Sequence, residues 1–247
     1  MQLRLTKAVK ALSIACLAVF IIQQSVDQFM GGNLLGWFAL IPSSFVFEGR
    51  FWQIFTFSFL HQDVMHLFLN LMMLVFIGSE LEAIWGTKKF VKFYFICATS
   101  AGLSYLMLQF LFWGGKTLQA PMLGASGAMY GLLIAYGLIF GERVLLFMML
   151  FPMKAKYFIW VLAAVEFMST LFSGRSGLAG AAHLGGMVAG FAMLWGGAAM
   201  TVMKKRRQAT QAVAAQVKRK KAASHLKLVV SKPGDSDDDS KNPKTWN

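Results

Sequence analysis

Ser126 stands among small residues, in Pro121-Met122-Leu123-Gly124-Ala125-Ser126-Gly127, at the head of an apolar run that ends near Phe140. Two histidines, His66 and His183, and one asparagine, Asn70, also fall inside apolar stretches. These are the residue types that nucleophilic hydrolysis requires. A serine hydroxyl is a weak nucleophile until a base takes its proton, and histidine is the side chain whose pKa suits that task. Attack on a carbonyl creates an oxyanion, which needs hydrogen-bond donors held in place. The Asn70 amide, a His66 ring N–H and the unpaired backbone N–H groups at the start of the Ser126 helix can supply them. Three separate elements must bring these residues together.

Those elements are membrane spans. Of the 247 residues, 57% are hydrophobic and only 14% charged, with a mean hydropathy of +0.56. A soluble domain carries about 25% charged residues. The net charge of +13 would suit nucleic-acid binding if it were spread over a surface. Instead half of the 24 basic residues lie after Met203, and most of the others flank apolar runs. That is a topology signal with a basic tail. Cys16 and Cys97 each sit in the middle of an apolar run, as free buried thiols would.

The spacing predicts six spans: near residues 8–29, 63–84, 90–113, 122–140, 157–172 and 178–203. The basic start before the first also fits a cleaved signal peptide, but an uncleaved first helix completes an even set. Residues 30–62, rich in aromatics and broken by Gly31-Gly32, Pro42 and Gly49, read as an interfacial first outer loop, since aromatic rings favour the headgroup level. The apolar piece 144–156 reads as a loop touching the membrane. Residues 1–203 then form a membrane domain, and 204–247 a basic, largely disordered tail whose Asp235–Asp239 run is flanked by prolines. Lys7, Lys10, Lys88, Lys89, Lys92, Arg143, Lys154, Lys156 and the tail fall on one side of the six-span scheme, and Arg50, Lys116 and Arg175 on the other. The excess puts both termini in the cytoplasm. We expect an integral, multi-pass protein of a prokaryotic plasma (inner) membrane. Its tail should meet anionic lipids rather than nucleic acid.

Span four is short. A helix of about 15 residues is roughly 22 Å long, against a hydrocarbon core of roughly 30 Å. One end must be reached by non-helical chain, tolerated at that depth only where protein buries it or water reaches it. In this scheme spans two, four and six all enter from the outer face. His66 with Asn70, Ser126 with Tyr130, and His183 with Gly186 and Gly190 then each share a helix face. All lie roughly 5–10 Å below the outer boundary. Gly124, Gly127, Gly186 and Gly190 would let spans four and six approach closely enough for Ser126 to meet His183. Tyr130 would pack against the His183 ring and hold its orientation. The only acids in the outer half of the spans are Asp27 and Asp63, each near a span end, so the expectation is a Ser–His dyad rather than a triad. Glu166, mid-span five, receives no mechanism and is expected to be a protonated or hydrogen-bonded structural group. Glu80 and Glu82, near the inner end of span two, suit capping or packing.

Gly124-Ala125-Ser126-Gly127, His66-Leu67-Phe68-Leu69-Asn70, and Ala182-His183-Leu184-Gly185-Gly186 with Gly190 together resemble the rhomboid family of intramembrane serine proteases. The likeness extends from about Gly49 to Met203 and includes Gly78, Glu82 and Gly86. It implies an all-α membrane protein with a six-helix bundle, hydrolysis of peptide bonds in or beside the transmembrane segments of membrane-protein substrates, and no metal or organic cofactor. By matching positions it implies Ser126 as nucleophile, His183 as base, His66 and Asn70 with Ser126 at the oxyanion hole, and Tyr130 stacked on the histidine. Many members carry Trp-Arg in the first outer loop, where this chain reads Arg50-Phe51-Trp52-Gln53.

Each piece has a plainer reading. Gly-x-Ser-Gly in an apolar helix, taken alone, is more often helix-packing glue than a nucleophile. His66 and Asn70 could be an interhelical hydrogen-bonded pair. A catalytically silent rhomboid-like binding protein would keep the fold, and a small transporter or proton channel would use His66, His183 and Glu166 as a relay. The intact Ser126/His183 pair argues against the first, and the second gives no reason for serine chemistry.

Overall fold

The computed structural model describes residues 5–112, 118–147, 151–172 and 177–224. Lys116, Arg175, the Ser173–Gly177 turn except its last residue, and the acidic run of the tail lie outside them. The chain divides into two units, Met1–Gly197 and Ala198–Asn247. The first carries every candidate site residue named above.

Five helical stretches are long and apolar enough to cross a membrane, and a sixth apolar helix is shorter. The first is α1 (Lys7–Phe29). Its opening amides would have no partner inside the helix. Glu82 supplies one, accepting from the amides of Ala8 at 2.9 Å and Val9 at 3.0 Å, and from the hydroxyls of Thr6 and Thr87. The capping expected of Glu82 is thus exerted on a different helix, which ties the first span to the second.

The first outer loop folds into α2 (Leu34–Phe38), α3 (Pro42–Phe47), α4 (Gln53–Thr56) and a 3₁₀ turn, Phe57–Phe59. Its aromatic residues divide in two. Phe57 is fully buried, while Trp37, Phe47, Phe51, Trp52 and Phe55 are exposed. Arg50 donates to the Gly36 carbonyl at 2.9 Å and lies over the Trp37 ring; the Trp52 indole donates to the Trp37 carbonyl at 2.9 Å. Gln53 is fully buried and accepts from the Ile41 amide at 3.1 Å. The Arg50-Phe51-Trp52-Gln53 sequence therefore anchors its loop with its own set of contacts.

Span two is α5 (Val64–Met73), a π-helical turn at Leu74–Gly78, and α6 (Ser79–Trp85). It stops at Gly86, whose φ of 77° is open to glycine and strained for other residues. The long α7 (Thr87–Phe112) follows, then α8 (Ser126–Ile139), 14 residues long. Leu74, Phe90, Phe93, Tyr94, Met129 and Leu132 fill the core between these helices. In lipid such a core holds through close packing more than through expulsion of water.

Two expectations need correction. Residues 144–156 are not a plain loop. β1 (Val144–Phe147) pairs antiparallel with β2 (Phe151–Lys154), and Glu142 is held between Lys154 and Lys156. Val144, Leu145 and Phe147 alternate poorly for a helix but pair readily as a ribbon. After α9 (Ala155–Phe172) comes α10 (Gly177–Ser224). The helix does not stop at Met203, so the tail expected as disordered is helical as far as Ser224. Alanine, glutamine, lysine and arginine dominate that stretch, and all are good helix formers.

Candidate active site

The non-helical approach to Ser126 is held by protein backbone. Leu40 and Met122 exchange two amide–carbonyl bonds of 2.9 Å, the Ser43 amide donates to Leu118 O at 3.0 Å, and the Tyr105 hydroxyl donates to Ala120 O at 2.7 Å. The Gly124 amide donates to Phe57 O at 2.9 Å. Extended chain below the membrane surface must be satisfied in this way. The first outer loop, through Leu40 and Phe57, thus sets where α8 begins.

Ser126 is the first residue of α8, and Ala125 at its N-cap provides no side-chain cap. The leading backbone N–H groups of a helix lack intrahelical acceptors and carry the positive end of the helix dipole. His183, on α10, brings Nε2 to 2.8 Å from Ser126 Oγ. Close approach of α8 and α10 makes this reach possible. A Cβ added at Gly186 would collide with the Gly127 carbonyl, and one at Gly190 would come within 2.8 Å of the Gly131 carbonyl. Gly127 itself lies against Ala101 of α7. The Tyr130 ring, one turn along α8, stacks on the His183 ring with centroids 4.2 Å apart and planes 13° apart.

His66 faces the same place from α5. Asp63 caps that helix, accepting from the His66 amide at 2.8 Å. At Gly124 the backbone turns through a φ of 114°, and a Cβ there would lie 2.7 Å from the His66 ring and 3.8 Å from Ser126 Oγ. Glycine is needed for both reasons. Asn70 is buried one turn further on, and its Nδ2 donates to the His66 carbonyl at 2.9 Å. That leaves its second amide hydrogen for another acceptor.

Two further residues reach the site, neither given a catalytic-site role by the sequence. His61 is fully buried and packs edge-on against His66, with ring centroids 5.2 Å apart. Its carbonyl and amide are both engaged by the Gln23 side chain, and its Nδ1 lies 3.2 Å from Phe59 O. Burial, with the neighbouring His66 second, pushes its pKa down to about 4. The other is Glu166 of α9, whose Oε1 lies 3.1 Å from His183 Nδ1 and also accepts the Tyr130 hydroxyl. An acid does reach the histidine after all. With α9 ending at Phe172, Glu166 is six residues from the end, roughly 9 Å. Counted that way, it falls in the layer expected for the other polar groups.

The rhomboid domain model matches residues 48–199, more than half of the chain. The chain belongs to the rhomboid family. This rhomboid is 31% identical over 157 residues to Rhomboid protein 1, mitochondrial, of Saccharomyces cerevisiae, covering 61% of this chain and 42% of that protein. Its identity with Rhomboid-like protease 3 of Toxoplasma gondii is 34% over 84 residues, 34% of this chain and 29% of the other. With Rhomboid-like protein 19 of Arabidopsis thaliana it is 26% over 199 residues, 77% and 59% respectively. This rhomboid thus spans less than two thirds of each relative's length. It is a multi-pass membrane protein, and His61, His66, Asn70, Ser126, Tyr130, Glu166 and His183 all lie inside the matched range.

Proposed function

We propose that this rhomboid is an intramembrane serine endopeptidase that cleaves transmembrane segments of membrane proteins. The observation that carries the reading is the 2.8 Å contact between His183 Nε2 and Ser126 Oγ at the start of the 14-residue α8. One relative is named a protease, which agrees with it. In acylation the Ser126 proton passes to His183 Nε2 while Oγ bonds to the substrate carbonyl carbon. The proton then goes to the amine nitrogen as the C–N bond breaks. Water reverses the sequence: its proton goes to Nε2, its oxygen to the acyl carbon, and Oγ leaves with the proton returned. The Ser126 amide, the free Asn70 N–H and the His66 ring N–H are assigned to the oxyanion.

A substrate helix would enter sideways and unwind to present its carbonyl. A cavity of about 780 Å³ favours this route; it is bounded by Met72 and Phe76 on span two, Tyr130 and Leu133 on α8, and Phe158 and Leu162 on α9. Its walls suit an apolar segment. Substrates with small or helix-breaking residues near the outer face should therefore be preferred. Residues 1–203 form the protease domain in this reading, and 204–247 a basic cytoplasmic segment that meets anionic lipids. Both termini are assigned to the cytoplasm on the distribution of basic residues. The relatives named above are eukaryotic and lend no support to a prokaryotic membrane.

A serine-reactive fluorophosphonate tests the reading without knowledge of the substrate. Labelling of the purified protein confined to Ser126, and lost in His183→Ala, is the expected outcome. A folded protein that takes no label would favour the silent binding protein.

A further inference from the structure

We propose that Glu166 is a positioning residue for His183, so that the site works as a Ser–His–Glu relay built from three helices rather than as a dyad. This rests on the protease reading above and adds a component to it. His183 Nε2 faces Ser126, and Nδ1, buried, has no aligned hydrogen-bond acceptor among the described residues. The atom nearest to serving is Glu166 Oε1, 3.1 Å away but off the line of the ring N–H. Contacts of this kind in a substrate-free site often tighten when substrate engages.

The surroundings hold this carboxylate in place. Tyr130 stacks on the imidazole and donates its hydroxyl to the same Oε1. An oxygen that accepts the Tyr130 hydroxyl and lies beside the imidazole Nδ1 suits an ionised carboxylate, which has only acceptors to offer. Glu166 is nine-tenths buried, so its orientation is not left to solvent. On the α10 side Gly180 leaves room: a Cβ there would stand 2.7 Å from the Glu166 carbonyl oxygen and 3.1 Å from Oε2. His183 is one turn beyond Gly180 on the same helix face. The four groups around the imidazole are then Ser126 and Tyr130 from α8, Glu166 from α9, and His66 from α5.

The chemistry follows from the protonation pattern. A proton on Nδ1, held toward Glu166, leaves the Nε2 lone pair facing Ser126, as a general base requires. When Nε2 takes the serine proton the ring becomes a cation in a medium of low dielectric. A fixed negative charge at 3 Å range then stabilises it, and Glu166 keeps its charge throughout. The plainer alternative is that Glu166 only staples α9 to α8 and α10.

Glu166→Gln separates the two. The amide keeps the size and can still accept from Tyr130, but carries no charge. The relay predicts kcat lower by roughly tenfold or more, with KM and thermal midpoint close to wild type. Glu166→Asp, which restores the charge on a shorter arm, should recover part of the loss. An active wild type matched in kcat by Glu166→Gln would overturn this proposal alone. A wild type that neither cleaves nor takes phosphonate at Ser126 would remove the protease reading and this one with it. Should Glu166→Gln fail to fold, ¹⁵N spectra of histidine-labelled wild type decide, with His183 assigned by its loss in His183→Gln. The relay predicts the proton on Nδ1 at neutral pH; a proton on Nε2 would overturn it.

Discussion

Ser126 and His183 were legible as residues because the chemistry needs their types and because ionisable groups inside a membrane are costly enough to be informative. His61 was not, although it is one of four histidines. It falls before α5, in a loop whose burial no periodicity reports. Its environment leads to a prediction. Folding lowers its pKa from an ordinary 6.5 to about 4, so between those values the unfolded chain binds the extra proton and the folded chain does not. Stability should be fully present above pH 6.5 and fall as the pH drops toward 4, by up to roughly 3 kcal/mol. Thermal midpoints in detergent at pH 7, 6, 5 and 4 check this. His61→Gln should flatten that part of the profile; an unchanged slope would assign the acid sensitivity elsewhere.

At the scale of elements, span positions could be read from apolar run length, and the shortness of α8 from the serine and Gly141-Glu142-Arg143 that bound it. The β1–β2 hairpin could not. Short apolar runs fit strand and helix equally by pattern, and Pro152 counts against both. The π-helical turn at Leu74–Gly78 left no sequence signal either. The Glu166 contact was missed for a different reason: the expected and observed ends of α9 coincide at Phe172, but in so short a span an acid six residues from the end reads as mid-span, and no spacing shows that it faces His183. Glu82 shows how a motif residue acts at this scale. Its carboxylate caps α1 while belonging to α6, and it is almost fully buried. Glu82→Ala would leave the Ala8 and Val9 amides unpaired, and should cost about 2 kcal/mol or more. Glu82→Gln, which keeps one acceptor, should lose less. Detergent unfolding curves would show the order, and equal stability of all three proteins would mean that the cap contributes little.

For the whole molecule, the family and the membrane architecture followed from composition and three short motifs, while orientation rests on basic residues alone. Cys16 and Cys97 are buried, so single cysteines introduced at exposed sites report topology against a quiet background. In intact cells, Gln62→Cys should react with a membrane-impermeant maleimide and Lys88→Cys should not until the membrane is opened. The reverse pattern would invert the assignment of both termini and put the site at the other face.

The most direct measurement is cleavage of a single-span membrane protein by the purified rhomboid in detergent, beside Ser126→Ala and His183→Ala. Cleavage by the wild type, with both variants reduced at least roughly a thousandfold, is the predicted result. Equal cleavage by all three proteins would contradict it, because the chemistry would then need neither the hydroxyl of Ser126 nor the ring of His183.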